Sequence, residues 1–183
     1  GQCIIHYLYR TVPADPGLMS WRRGRLLASW AGVPLPPLRT STKPAAVWAA
    51  LKRHSEALEM GAPSPPCGRF GVAVHLAVPD PANLASIVKP LLDGIISAFH
   101  SHVGEGEPTE LCAARLAAQV GDDERTVAAW LADTRLAVLG TRRLLYPRAS
   151  GVQWNPADDA CVAIALTAGP SPDATCRCSG GGF

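Results

Sequence analysis

Between residues 68 and 102 a strand-like run passes into a stretch of helical spacing, and the rest of the chain is organised around it. GRFGVAVHLAV (68–78) is rich in strand formers and bounded by glycine and proline. DPANLASIVKPLLDGIISAFHSH (80–102) then repeats Leu84, Ile87, Val88, Leu91, Leu92, Ile95, Ile96 and Phe99 at helical spacing. A strand, a short turn and an amphipathic helix are expected, with Ser86, Lys89, Asp93, Ser97 and His100 on a polar strip beside the buried stripe. Asp80 stands just before the helix, where unpaired amides and the helix dipole favour an acidic acceptor. Pro90 removes one amide donor and crowds the carbonyl of Ser86, so a kink or a late helix start is expected. As a surface feature the Lys/Asp pair is ordinary, worth about 0.3–0.5 kcal/mol.

The 183 residues suffice for one domain with a sizeable core. A net charge of +2 is too small to imply a polyanion partner, so any such site must come from local clustering. Arginine outnumbers lysine 14 to 3, which makes a lysine at position 89 a departure from the chain's habit. No basic-then-apolar leader and no apolar run of the roughly 20 residues a bilayer helix needs is present, and a cytoplasmic protein is expected. The six cysteines (3, 67, 112, 161, 176 and 178) are expected to be free thiols. Cys3/His6, His100/His102 and Cys176/Cys178 have zinc-like spacings but no CxxC pair supports them.

CIIHYLYR (3–10) reads as a strand, and WRRGRLLASW (21–30) as a basic and aromatic loop carrying Arg22, Arg23 and Arg25. Pro34, Pro36 and Pro37 keep the next stretch extended or looped. Pro44 opens a helix that Gly61 ends, its polar side carrying Lys52, Arg53 and His54 toward water or a nucleic-acid backbone. PTELCAARLAAQV (108–120) and DERTVAAWLAD (123–133) are two short helices around Gly121, and Arg135, Arg142, Arg143 and Arg148 make 134–151 the densest basic region of the second half. Asp158 and Asp159 precede Cys161–Leu166, a buried strand by its apolar run, and PSPDATCRCSGGGF reads as disordered. The expected class is α/β (α+β), a single small mixed sheet with packed helices and an inserted helical hairpin. Its core spans 1–102 and 151–169, the insertion 103–150, and a flexible tail 170–183.

Carboxylates that converge beside a positive group are what metal-assisted phosphodiester cleavage needs. Asp80, Asp93 and the Asp158/Asp159 pair are the candidates, with Lys89 one helical turn from Asp93.

Two resemblances extend this reading. Leu116, Ala117, Gly121, Thr126, Val127, Trp130 and Leu131 stand at the spacing of a helix-turn-helix over 116–131, with Asp122 where such motifs bury an aliphatic residue and Glu124, Ala128 and Ala129 offering a DNA groove little. The order strand, Asp-x-x-Asn, Lys-Pro, Leu-Asp-Gly, helix end, then Trp and Asp-Asp before an apolar strand resembles the RusA family of Holliday-junction resolvases, small dimeric magnesium-dependent endonucleases of α/β fold. The resemblance implies Mg²⁺ held by Asp80, Asp93, Asp158 and Asp159. It implies catalytic roles for Lys89 and Asp93, with Trp154 upstream of the Asp pair. It also implies branched-DNA contacts from Asn83, Arg22, Arg23, Arg25, Arg142 and Arg143, and a homodimer. Ala82 stands where the family has a second Asp, Lys89 lies three residues later than usual, and 103–150 lengthens a connection that is normally short. The alternative is a non-catalytic DNA- or protein-binding module on the same scaffold.

Overall fold

Strand β3 (Phe70–Val78) buries every second residue, Phe70, Val72, Val74, Leu76 and Val78, and so defines the inner face of a sheet. The computed structural model describes residues 24–61, 68–79, 84–104, 106–172 and 175–183. The expected strand at 3–10, Arg22, Arg23, the Cys3/His6 pair, Cys67, Asp80 and Asn83 lie outside them. Around β3 the sheet adds β1 (Ala28–Leu35), β2 (Leu58–Met60), β8 (Cys161–Pro170) and β9 (Cys176–Gly182) in the order β2-β1-β9-β3-β8. Among the described strands of this sheet only the β3/β8 pair is parallel. That pairing requires a crossover, which begins with α2 (Leu84–Ala98) and accommodates everything up to residue 160. The mixed sheet with four helices is the α+β class expected.

The tail is the largest correction. Residues 176–182 are not disordered but form the middle strand, antiparallel to both neighbours. Cys176 and Cys178 point inward and are buried, and the indole N–H of Trp30 donates to Cys178 Sγ at 3.2 Å. The glycine run that reads as a linker is a packing requirement, because a Cβ on Gly180 would lie 2.5 Å from the Trp30 ring and collide with the Ala73 carbonyl. The expected buried strand at 161–166 is instead the outer strand β8, half-exposed along most of its length, with Ile164 51% exposed.

Helix α1 (Pro44–Arg53) starts at its proline as expected but ends early. A 3₁₀ turn at Ser55–Ala57 follows, and Leu58, expected on the helix, begins β2. Helix α2 runs without a late start through Pro90. The two helices cross at Gly94, where a Cβ would lie 2.6 Å from Val47 Cβ and 2.7 Å from the Pro44 carbonyl. Lys52, expected at the surface, is 2% exposed, and its ammonium finds no acceptor among the described residues. Burial lowers its pKa from 10.5 to about 8, opposed by the charge of Asp133 and assisted by that of Arg135.

Helices α3 (Glu107–Val120) and α4 (Glu124–Ala132) meet at Gly121, whose left-handed backbone ends α3, and Asp123 caps α4 by accepting from the Thr126 amide at 2.9 Å. This pair shares one apolar core with the sheet. Trp48 on α1 packs against Trp130 and Trp154, with ring centroids 5.8 Å away in both cases. Arg53 donates to the Val120 carbonyl at 2.6 Å and to the Asp122 carboxylate, so the acidic residue where a helix-turn-helix buries an aliphatic one is a tether to α1. The arginine-rich stretch folds as β5 (Thr141–Arg142), paired with β4 (Ser101–His102), and as a hairpin of β6 (Leu145–Arg148) and β7 (Gly151–Trp154). Among the described residues no helix is long and apolar enough to cross a membrane.

Two outcomes test this packing. Gly180→Val is expected to destabilise by about 1–3 kcal/mol through overpacking against Trp30 and Ala73, read as a fall of roughly 2–4 °C in Tm per kcal/mol at this size. Lys52→Met is expected to raise stability. A folded-state pKa below the ordinary value makes the unfolded chain bind the proton between pH 8 and 10.5, so the parent gains stability as pH rises through that window, by about 3 kcal/mol. The Met variant will lack that rise, and chemical denaturation at pH 7.5 and pH 10.5 distinguishes the two.

Candidate functional site

The polar strip of α2 does not face solvent along its length. Lys89 is exposed, but Asp93, one turn on, is 9% exposed, Ser97 is fully buried and His100 is 3% exposed. Helix periodicity puts Lys89, Asp93 and Ser97 on one side of α2, and His100 follows just past its end. The second half of the site comes from a 3₁₀ turn, Asp158–Ala160, at the start of β8. The parallel pairing of β8 with β3 returns this turn to α2.

The two halves meet at one nitrogen. Lys89 Nζ donates to Asp93 Oδ1 at 3.1 Å and to Asp158 Oδ2 at 3.3 Å, although 69 residues separate Lys89 from Asp158. The two carboxylates are therefore no further apart than those contacts laid end to end. Burial lifts the Asp93 pKa above the ordinary carboxylate value; Lys89 opposes that shift and the charge of Asp158 adds to it. Burial draws the Lys89 pKa down, and the hydrogen bonds and charges of Asp93 and then Asp158 outweigh it, leaving the amine above its ordinary value. Stability does not explain the arrangement. Lys89 and Asp158 side chains are 69% and 52% exposed, and exposed ion pairs contribute about 0–1 kcal/mol, while a carboxylate held in a low-dielectric pocket is a cost. A buried carboxylate with a perturbed pKa and a specific charged partner is a pattern that functional groups share with structural ion pairs.

The other expected residues separate into three sets. Asp159 does not join Asp93 but turns toward Arg142, with 3.8 Å between Oδ1 and the guanidinium, and its side chain is 82% exposed. Arg143 is exposed and stacks over Tyr146 at 4.6 Å, and Arg25 is exposed. Asp80, Asn83, Arg22 and Arg23 fall outside the described residues. Trp154 packs on Trp48 and is part of the core. On α4 the exposed positions are Glu124, Arg125, Ala128, Ala129 and Ala132, a face with one basic side chain and no amide, which is poor equipment for reading a DNA groove.

Among the described residues no group of three or more His, Cys, Asp or Glu is arranged to hold a metal. The zinc-like spacings have other employment. His100 Nδ1 bonds the Ile96 carbonyl at 2.9 Å, and His102 Nδ1 accepts from the Leu144 amide at 3.0 Å. Burial raises the Cys176 and Cys178 pKa values, the latter to about 12, whereas a zinc ligand must be a thiolate. For Mg²⁺ the requirement is smaller, since that ion takes one or two carboxylates and fills its octahedron with water and phosphate oxygens. Asp93 and Asp158 are hard oxygen donors already converging on one cation, the lysine ammonium, and in that respect they suit Mg²⁺.

Sequence reasoning missed one feature of this region. His100, Arg69, Thr141 and Arg142 line a cleft of about 420 Å³ together with Phe70, Leu139, Ala157 and Asp159. The only signal for it in the sequence is the placement of His100 two turns after Asp93. No protein-family model, curated protein or solved structure matches the chain.

Asp93→Asn tests the electrostatic reading directly. With a folded-state pKa above the unfolded value, the parent loses stability as pH rises from the ordinary carboxylate range through the folded pKa. The variant is expected to melt at or above the parent temperature at pH 7, with the gap closing as the pH falls below 4. A lower Tm at pH 7 would show that Asp93 serves stability.

Proposed function

We propose that this chain is a magnesium-dependent endonuclease of RusA type, cytoplasmic and homodimeric, that cuts branched DNA. The observation that supports it most is the convergence of Asp93 and Asp158, from distant parts of the chain, on Lys89 Nζ. Asp93 and Asp158 would hold Mg²⁺, which when bound supplies a Lewis acid beside the scissile phosphate and an acidified water. The chain's own groups do the rest. Lys89 stays protonated across the neutral range and offers its charge to the phosphate and the leaving oxygen. Arg142, Arg143 and Arg25 bear on neighbouring phosphates, where guanidinium forks fit. Asp80 and Asn83 belong to the set that the resemblance implies.

A specific observation also favours the second reading, a DNA-binding module without cleavage. Lys89 already spans both carboxylates, and a lysine can take the place of a cation in a site that has lost its chemistry.

Four-way-junction DNA with Mg²⁺ separates the two. The parent is expected to nick the junction, Asp93→Asn to lose at least about a hundredfold in rate and Lys89→Ala about tenfold to a thousandfold. Cutting that survives both substitutions overturns the catalytic assignment. Salt-sensitive junction binding with no cutting in any variant establishes the second reading.

A further inference from the structure

The cleft at the end of α2 is separate from the Lys89 cluster, and its chemistry is of opposite sign. Its polar lining is Arg69, His100, Thr141, Arg142 and Asp159. Arg142 is held by β5, with its Nε sealed from solvent and without an acceptor among the described residues. A buried guanidinium N–H left unpaired is costly; the terminal amines are the part of this 28% exposed side chain open to the cleft, and Asp159 stands 3.8 Å from Nη1, beyond hydrogen-bond range. His100 is 3% exposed, and its ring is locked by donation from Nδ1 to the Ile96 carbonyl at 2.9 Å. That leaves Nε2 for an occupant, since no described residue bonds to it. Arg69 adds an exposed guanidinium at the rim.

The geometry points to a phosphate-binding pocket, in which Arg142 and His100 receive the phosphate of a nucleotide or a nucleic-acid strand and Asp159 guards the entrance as a competing anion. A guanidinium fork takes phosphate oxygens in bidentate fashion, a role that Asp159 at 3.8 Å does not fill, and phosphate brings more charge than one carboxylate. The volume, about 420 Å³, exceeds one phosphate and suits a nucleotide-sized ligand. Asp159, with its side chain 82% exposed and only loosely held by Arg142, can swing out to solvent when the phosphate enters. The nucleic-acid reading above is needed only to choose the ligand, because nothing in the pocket depends on a metal.

The test is binding of inorganic phosphate and of a short single-stranded oligodeoxynucleotide in the presence of EDTA, measured by calorimetry and by the His100 ring resonances, with acetate as comparator. Both phosphate probes are expected to move the His100 signals and acetate not to. Arg142→Gln is expected to weaken phosphate about tenfold or more, and Asp159→Asn to tighten it severalfold. Arg125→Gln, on the far helix α4, is expected to change neither. Phosphate and acetate binding alike, an unmoved His100, no phosphate binding at all, or Arg142→Gln and Asp159→Asn shifting affinity in the same direction would each overturn the pocket. Binding of inorganic phosphate without the oligonucleotide assigns the pocket to free phosphates, and binding of both assigns it to a strand. Junction cutting is read separately through Asp93→Asn, so a failed nuclease and a failed phosphate pocket give different results.

Discussion

The close contact of Trp30 with the backbone of Gly180 is the constraint on which the rest of the sheet depends. β9 lies between β1 and β3, and without it the sheet divides into the β2/β1 pair and the β3/β8 pair. The indole fills the space that a side chain on β9 would occupy, and its N–H is satisfied by Cys178 Sγ at 3.2 Å. Glycine costs strand propensity but admits a large aromatic surface against the strand's own backbone, and aromatic burial is among the larger favourable contributions a residue can make. Phe99, just beyond α2, packs on the same indole at 5.3 Å between centroids, which ties the helix of the candidate site to the central strand.

From that platform the site follows in two steps. Gly94 lets α1 and α2 approach closely, with Asp93 beside it only 9% exposed, and the parallel β3/β8 pairing carries Asp158 back to Lys89. The same strip continues beyond Asp93 through Ser97 to His100 and the cleft beside Arg142. One polar strip thus runs from two carboxylates that share a lysine to a cleft lined by arginine and histidine. Adjacent residues of a single 3₁₀ turn are divided between them, Asp158 to Lys89 and Asp159 to Arg142.

Periodicity made the helices legible. α2, α3 and α4 lie where the apolar spacing and Gly121 put them, because a 3.6-residue stripe over ten or more residues has few other solutions. β3 was legible as a run of strand formers bounded by glycine and proline, and its alternating burial came with the fold. Illegible were the segments whose structure is imposed from outside. The Ser-Gly-Gly-Gly run of β9 carries no strand propensity and is ordered by Trp30, 150 positions earlier in the chain. Leu58 follows a helix-compatible pattern yet pairs with Trp30 in β2. Lys52 reads as surface because charge is normally excluded from cores, and only the arrival of the 108–133 hairpin over α1 buries it. Of the site, the polar strip and the Asp-Asp turn were legible as residue types. Their meeting was not, because it depends on the strand order of the sheet, and the division of Asp158 from Asp159 needed coordinates.

The position of β9 also sets an order for folding. β1 must pair with a strand whose residues follow it by about 150 positions, so the sheet cannot close until synthesis has passed residue 182. Closing so long a loop is entropically costly and comes late on the path. Until then β1 and β3 expose unpaired edges, while α1, α2 and the 108–133 hairpin, built from local contacts, can already assemble. Asp93 belongs to the layer that local contacts build, whereas Asp158 reaches Lys89 only through the long-range pairing of β8 with β3.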